Sequence, residues 1–222
     1  MNDNHKPSAT AQVQTRRSNR IFGFSDGVFA IAITLLVLTL EVPSNLTSSE
    51  EVSSFLWEAL PQVVVYAASF MVIGTFWVRH HRMFDIARAV DGRMLILNLV
   101  FLAFVALLPF PSDLLGNDQT TRTVIAFCAV AGAATLCEFG MWKHLDRHRE
   151  LLLADIPGER IAALKTWRLW SLGVLIVCVL VSVLSPRIAV LMLLALFPVY
   201  ELVYHRRHHR RERTLYLLRD DR

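Results

Sequence analysis

Three cysteines in 222 residues are too few to staple this chain into a disulfide framework. Cys128, Cys137 and Cys178 each fall inside an apolar run, with no Cys-x-x-Cys spacing, and read as small packing residues rather than disulfide or metal partners. Catalytic arrangements are missing too. There is no Ser-His-Asp order, no phosphate-binding loop and no pair of carboxylates at membrane depth, so the chain does not read as an enzyme. Residues 1–18 are polar and lack an apolar core, and the first apolar run lacks a small-residue cleavage site, which argues against a signal peptide.

What the chain has in abundance is apolar surface. Hydrophobic residues make up 54% of it and the mean hydropathy is +0.43, above the roughly 45–50% apolar content of soluble domains. The excess gathers into six runs, at about 21–42, 55–78, 94–110, 124–142, 167–185 and 188–204. Each approaches the roughly 20 residues a helix needs to cross a bilayer. The expected fold is therefore all-α, an integral membrane protein with six transmembrane helices. Proline punctuates the runs: Pro43 stops the first, Pro109 and Pro111 close the third, and Pro186 with Arg187 turns between the last two.

Charge sets the orientation. Basic residues crowd the amino tail through Arg20, the second-to-third loop (Arg79, Arg82, Arg88, Arg93), the fourth-to-fifth loop and the carboxyl tail. Twenty-one of the 23 fall on one face, leaving Arg122 and Arg187 on the other. By the positive-inside rule both termini are cytoplasmic. The same rule accounts for the pI near 9.2 without a nucleic-acid partner. Three regions are expected: a disordered cytoplasmic tail over 1–18, a membrane domain over 19–205, and a basic cytoplasmic tail over 206–222. That last segment obeys positive-inside as a solvated face and could also hold anionic membrane lipid.

One run carries a polar knot. Arg20, Ser25 and Asp26 open the first span, although a charge at a helix centre in a membrane costs about 2.5–3.5 kcal/mol. A helix-start role for Ser25 and Asp26 is the plain explanation. Spans one and two are antiparallel, however, so the end of span two, with Trp77, His80 and His81, lies level with that knot. Span three starts at the same face and brings Asn98 near. These groups can converge on one cytoplasmic-side cluster whose members must bond to one another. Further along span one, Ile31, Thr34, Leu35 and Leu38 recur at i, i+3, i+4 and i+7 and share a helix face. Packing against a neighbouring helix is the ordinary explanation of such a stripe.

Arg20-x-x-x-Phe24-Ser25-Asp26 resembles the R-x-x-x-F-S-D signature of the lysosomal potassium-channel family, the transmembrane protein 175 family, in its shorter prokaryotic form. The similarity continues through Gly27-Val-Phe-Ala-Ile-Ala-Ile-Thr-Leu-Leu-Val-Leu, Phe76-Trp77-x-x-His80-His81-Arg82, Asn98-Leu-Val-Phe-Leu and Leu108-Pro109-Phe110-Pro111. It covers spans one to three closely, and the later spans by hydropathy alone. The resemblance implies a potassium-selective channel in the cell membrane, a homotetramer whose first helices line the pore, with potassium as permeant ion and no cofactor. The family lacks the usual filter loop, and no Gly-Tyr-Gly occurs here. Carried over from Phe24-Ser25-Asp26, the aliphatic constriction falls on Ile31, with Thr34, Leu35 and Leu38 beyond. A narrow ring of this kind gates by expelling water, and a ring of threonines could stand in for hydration oxygen. A closed oligomer follows from the same symmetry.

Two other readings bear on these residues. A secondary transporter, proton-coupled through Asp26 and the histidines, would place polar ligands at the midplane on broken helices, where span one has only Ile31 to Leu36. A membrane enzyme with metal at His80 and His81 would need more ligands than Asp26 and Asp85 supply. His144 and His148 have a metal-compatible i, i+4 spacing but no assured third ligand, so no metal is expected.

Overall fold

Among the described residues, helix follows each apolar run. The structure, a computed structural model, describes residues 9–44, 47–153 and 158–197, with side chains defined from residue 20 onward except at 159–168. In order come α1 (Ala9–Leu35), α2 (Ser49–Glu58), α3 (Leu60–Asp85), α4 (Gly92–Leu107), α5 (Pro109–Asn117), α6 (Thr121–Arg147), α7 (Gly158–Ser182) and α8 (Pro186–Phe197). Among the described residues the extended backbone amounts to one antiparallel pairing, Ala87 with Leu152.

Local chemistry explains the boundaries. Ser48 accepts from the Glu51 amide while Glu51 reaches back to the Ser48 amide, a reciprocal cap that starts α2. Thr120 and Thr123 do the same for α6, and Asp91 caps α4 through the Met94 amide at 2.8 Å. Pro109 and Pro186 each occupy the first position of a helix, where the missing N–H costs nothing.

Those prolines correct two expectations. Pro109 and Pro111 do not close the third span. They restart it as α5 after a one-residue break at Leu108, and the apolar helical stretch Gly92–Asn117 runs through them. Pro186 starts α8, and the turn before it falls on residues 183–185. Helix also begins earlier than expected at the amino end. Residues 9–18, read from sequence as part of a disordered tail, belong to α1, whose Ala and Gln residues suit a helix. Residues 1–8, the end of the sixth run and the basic tail over 206–222 lie outside the described residues.

Four stretches are long and apolar enough to cross a membrane: Arg20–Thr39, Leu60–Asp85, Gly92–Asn117 and Thr121–Arg147. The last two apolar stretches, Leu169–Ser182 and Pro186–Phe197, are shorter among the described residues.

The bundle packs α4 against α6 and α6 against α7, while α1 lies along α3 and α4. Its core is aromatic and aliphatic, with Phe29, Phe76, Phe84, Phe101, Phe127 and Trp142 fully buried. Phe29, Phe76 and Phe101 meet edge-on or tilted at 5.8–6.0 Å between ring centres, the offset geometry that ring quadrupoles favour. Cys128 and Cys178 are buried among these apolar groups as small fillers.

Candidate functional site

The polar knot of α1 is held by α3 and α4. His80 Nε2–H donates to the Asn98 carbonyl at 2.8 Å, and the Asn98 amide donates to Ser25 Oγ at 3.1 Å. Ser25, His80 and Asn98 are all buried. Beside them the Trp77 indole N–H donates to the Asp26 carboxylate at 3.0 Å, at a more exposed level. His81 stacks on Trp77 with ring centres 5.6 Å apart and lies 3.8 Å from the Asp85 carboxylate. Three helices are thereby cross-tied at one depth. Interhelical bonds of this kind in membranes average about 0.6 kcal/mol and reach about 1.7. Orphaning a buried member costs more, about 1–3 kcal/mol.

The arrangement fits the expected convergence for Ser25, Asp26, Trp77, His80, His81 and Asn98. It leaves out Arg20 and Phe24, which are exposed. Arg20 bonds to none of the described residues. The sequence reading missed the box around His80. Its imidazole stacks on Phe101 at 5.7 Å and 5°, sits 4.5 Å from Phe84, and meets Phe29 edge-on at 5.5 Å. Phe29, three residues past Asp26, could have been found from the i, i+4 spacing with Ser25, which puts both on one face.

The first span, from Phe24 to Leu38, divides cleanly. Ser25, Phe29, Ala32 and Leu36 face the bundle and are buried. Phe24, Ile31, Leu35 and Leu38 face away, at 55%, 61%, 42% and 73% exposure. Thr34 shares the open face and donates its hydroxyl back to Ala30 O at 2.9 Å, with Ile31 O at 3.0 Å. After Leu35 the helix tightens into a 3-10 turn, Leu36–Thr39, so the α-helical register does not run unbroken to Leu38.

Arg79 departs from its expected place in a loop. It lies on α3 at 4% exposure, donates to Ser171 Oγ on α7 at 2.7 Å, and sits 3.8 Å from the buried Glu138 of α6. Glu138, in the interior of α6, thus has a basic neighbour on α3. His144 and His148 form no metal cluster, and no group of three suitable ligands occurs among the described residues. His144 Nε2 bonds instead to Asp91 at 2.8 Å, and His148 Nδ1 donates to His144 O at 3.1 Å. Partial burial of Asp91 works to raise its pKa, yet the Met94 amide and His144 outweigh it and hold the carboxyl below its usual range.

A helical bundle with a polar tie at one end of its first apolar helix, and a bare aliphatic face beyond, has the build of an ion-channel subunit. Comparison with known proteins gives the family. Residues 20–109 match the model of the endosomal/lysosomal potassium channel TMEM175. A protein of Streptomyces collinus named as a potassium channel is 36% identical over 167 residues, covering 70% of this chain and 78% of that one. One from Chamaesiphon minutus, also named as a potassium channel, is 30% identical over 178 residues, covering 78% and 88%. The mouse endosomal/lysosomal proton channel TMEM175 is 34% identical over 136 residues, and the match spans 27% of its length. Among solved structures, the Chamaesiphon minutus TMEM175 homologue, described as a lysosomal potassium-selective channel homologue, superposes with a TM-score of 0.73 at 28% identity. It covers 84% of this chain and 97% of that one. The chain belongs to the TMEM175 family.

Proposed function

We propose that this chain is the subunit of a potassium-selective channel of the cell membrane, with six spans, both termini cytoplasmic, and four copies arranged around a pore lined by α1. The observation that carries the reading is the division of α1. One face is sealed into its own bundle, and the other leaves Ile31, Leu35 and Leu38 uncovered within a single subunit. Phe24, Ile31 and Leu35 are spaced seven and four apart, the narrow seam by which helices of several subunits pack about one axis. Gly27, Ala30 and Thr34 lie on the same open side, and a Cβ added at Gly27 would meet nothing within 4 Å. Small residues there let backbones approach closely.

In this reading Ile31 forms the constriction and gates by dewetting. Thr34 contributes one oxygen per subunit toward a permeating cation. Asp26, Ser25, Trp77, His80, His81 and Asn98 fix the rotation of α1 and hence where Ile31 points, while Arg20 and Phe24 face a neighbouring copy. The names of the bacterial relatives support potassium as the permeant ion.

The test is potassium flux into proteoliposomes under an imposed voltage, with sodium in parallel. Voltage-driven flux that favours potassium supports the channel. Flux at carrier-like rates, or flux requiring a pH gradient, supports a secondary transporter instead.

A further inference from the structure

Arg79 joins α3 to three other helices from within the span, and the tie across α1 does not use it. Its guanidinium donates to Ser171 on α7, faces Glu138 on α6, and lies over the Phe197 ring of α8 at 5.3 Å. A buried charge pair is a poor device for stability, since its desolvation offsets most of the attraction. Ionisable groups retained inside a membrane span more often serve function, with the partner as the clue.

We infer that Arg79 is a positioning residue for α1: it anchors the rotation of α3 to the α6–α8 layer, and through α3 sets the Trp77–Asp26 and His80–Asn98–Ser25 bonds. Two observations carry this. First, Arg79 and His80 are consecutive on α3 and point in different directions, one into α6–α8 and the other into α1 and α4. An α3 rotation of about 20° would move a side-chain tip on a radius of about 6 Å by about 2 Å, enough to break the Trp77 bond. Second, packed rings connect the two sides. Phe197 under Arg79 meets Phe76 at 5.8 Å, Phe76 meets Phe101 at 5.8 Å, and Phe101 stacks on His80. On this inference the rings in contact couple the carboxyl-terminal helices to α1. The role in opening rests on the channel reading; the positioning of Trp77 does not.

The test separates the two. The informative variant pairs Arg79→Met with Glu138→Leu, a replacement that buried ion pairs tolerate. Ser171→Ala is the milder variant, removing only the 2.7 Å bond. The full-length protein is labelled with 5-fluorotryptophan, and the Trp77 fluorine signal is assigned by its loss in Trp77→Phe. In the paired variant, and less so in Ser171→Ala, the Trp77 signal should shift or broaden. Potassium flux should change about fivefold with the potassium-to-sodium ratio unaltered. Adding Trp77→Phe to the paired variant should then change flux little further. An unmoved Trp77 signal in correctly assembled variants, or flux effects that simply multiply, would overturn the inference. A wild-type protein that passes no potassium would remove the channel reading, with the Trp77 signal still deciding the positioning.

Discussion

Trp77 Nε1 lies 3.0 Å from the Asp26 carboxylate, a bond across 51 residues of chain that ties α3 to α1. It is the exposed companion of the buried His80–Asn98–Ser25 chain, and the two together leave α1 little freedom to rotate. In the channel reading that rotation decides whether Ile31 or its small neighbours meet the axis.

Removing the exposed bond should alter gating more than folding. Trp77→Phe or Asp26→Asn is expected to cost about 1 kcal/mol of stability, the scale of a single hydrogen bond. Open probability in single-channel records should change while unitary conductance holds. A change in conductance with open probability untouched would place Asp26 in the ion path instead.

The buried chain should behave in the opposite way. Asn98→Leu strands both the His80 N–H and the Ser25 hydroxyl in an apolar setting, at about 1–3 kcal/mol for each. A marked drop in thermal unfolding temperature in detergent is expected, with Ser25→Ala milder because it strands only one donor.

The proposed constriction makes a third prediction. Ile31→Asn should wet the ring and raise resting potassium flux by about tenfold or more, and Ala32→Asn on the buried face should destabilise the protein without raising flux. Flux from Ile31→Asn equal to wild type would move the gate elsewhere on α1.

A pH effect follows from Asp91, which lies outside the spans at the start of α4. Its folded pKa is held below the ordinary 3.8, so its contribution is fully present above that value and is lost as pH falls through the lower folded one. Asp91→Ala should lose about 1 kcal/mol as a helix cap near neutral pH. The gap in melting temperature between wild type and variant should close as acid protonates Asp91. A gap that stays constant down to the lowest pH would show that Asp91 contributes without its charge.

How much of this was legible beforehand can be judged residue by residue. Ser25, Asp26, Trp77, His80 and Asn98 could be brought together from sequence because antiparallel spans of known direction put equal depths side by side, and polar groups near lipid must find partners. Arg79 could not be placed that way. Its charge fits the positive-inside count equally well from a loop or from inside the bundle, and only the packing of α6, α7 and α8 decides. The prolines misled too. Pro109 read as a stop and Pro186 as part of a turn, yet each sits where a helix begins. The aromatic box around His80 was hidden because phenylalanines in an apolar run carry no mark of which neighbour they will meet.

The central claim is that the bare face of α1 surrounds the ion path. In a protein with Cys128, Cys137 and Cys178 replaced by serine or alanine, Ile31→Cys is compared with Leu36→Cys, one on the open face and one buried. Silver ions applied during potassium flux should block the Ile31→Cys protein and leave the Leu36→Cys protein unaffected. Equal insensitivity of both, with the Ile31→Cys protein still conducting, would contradict the account.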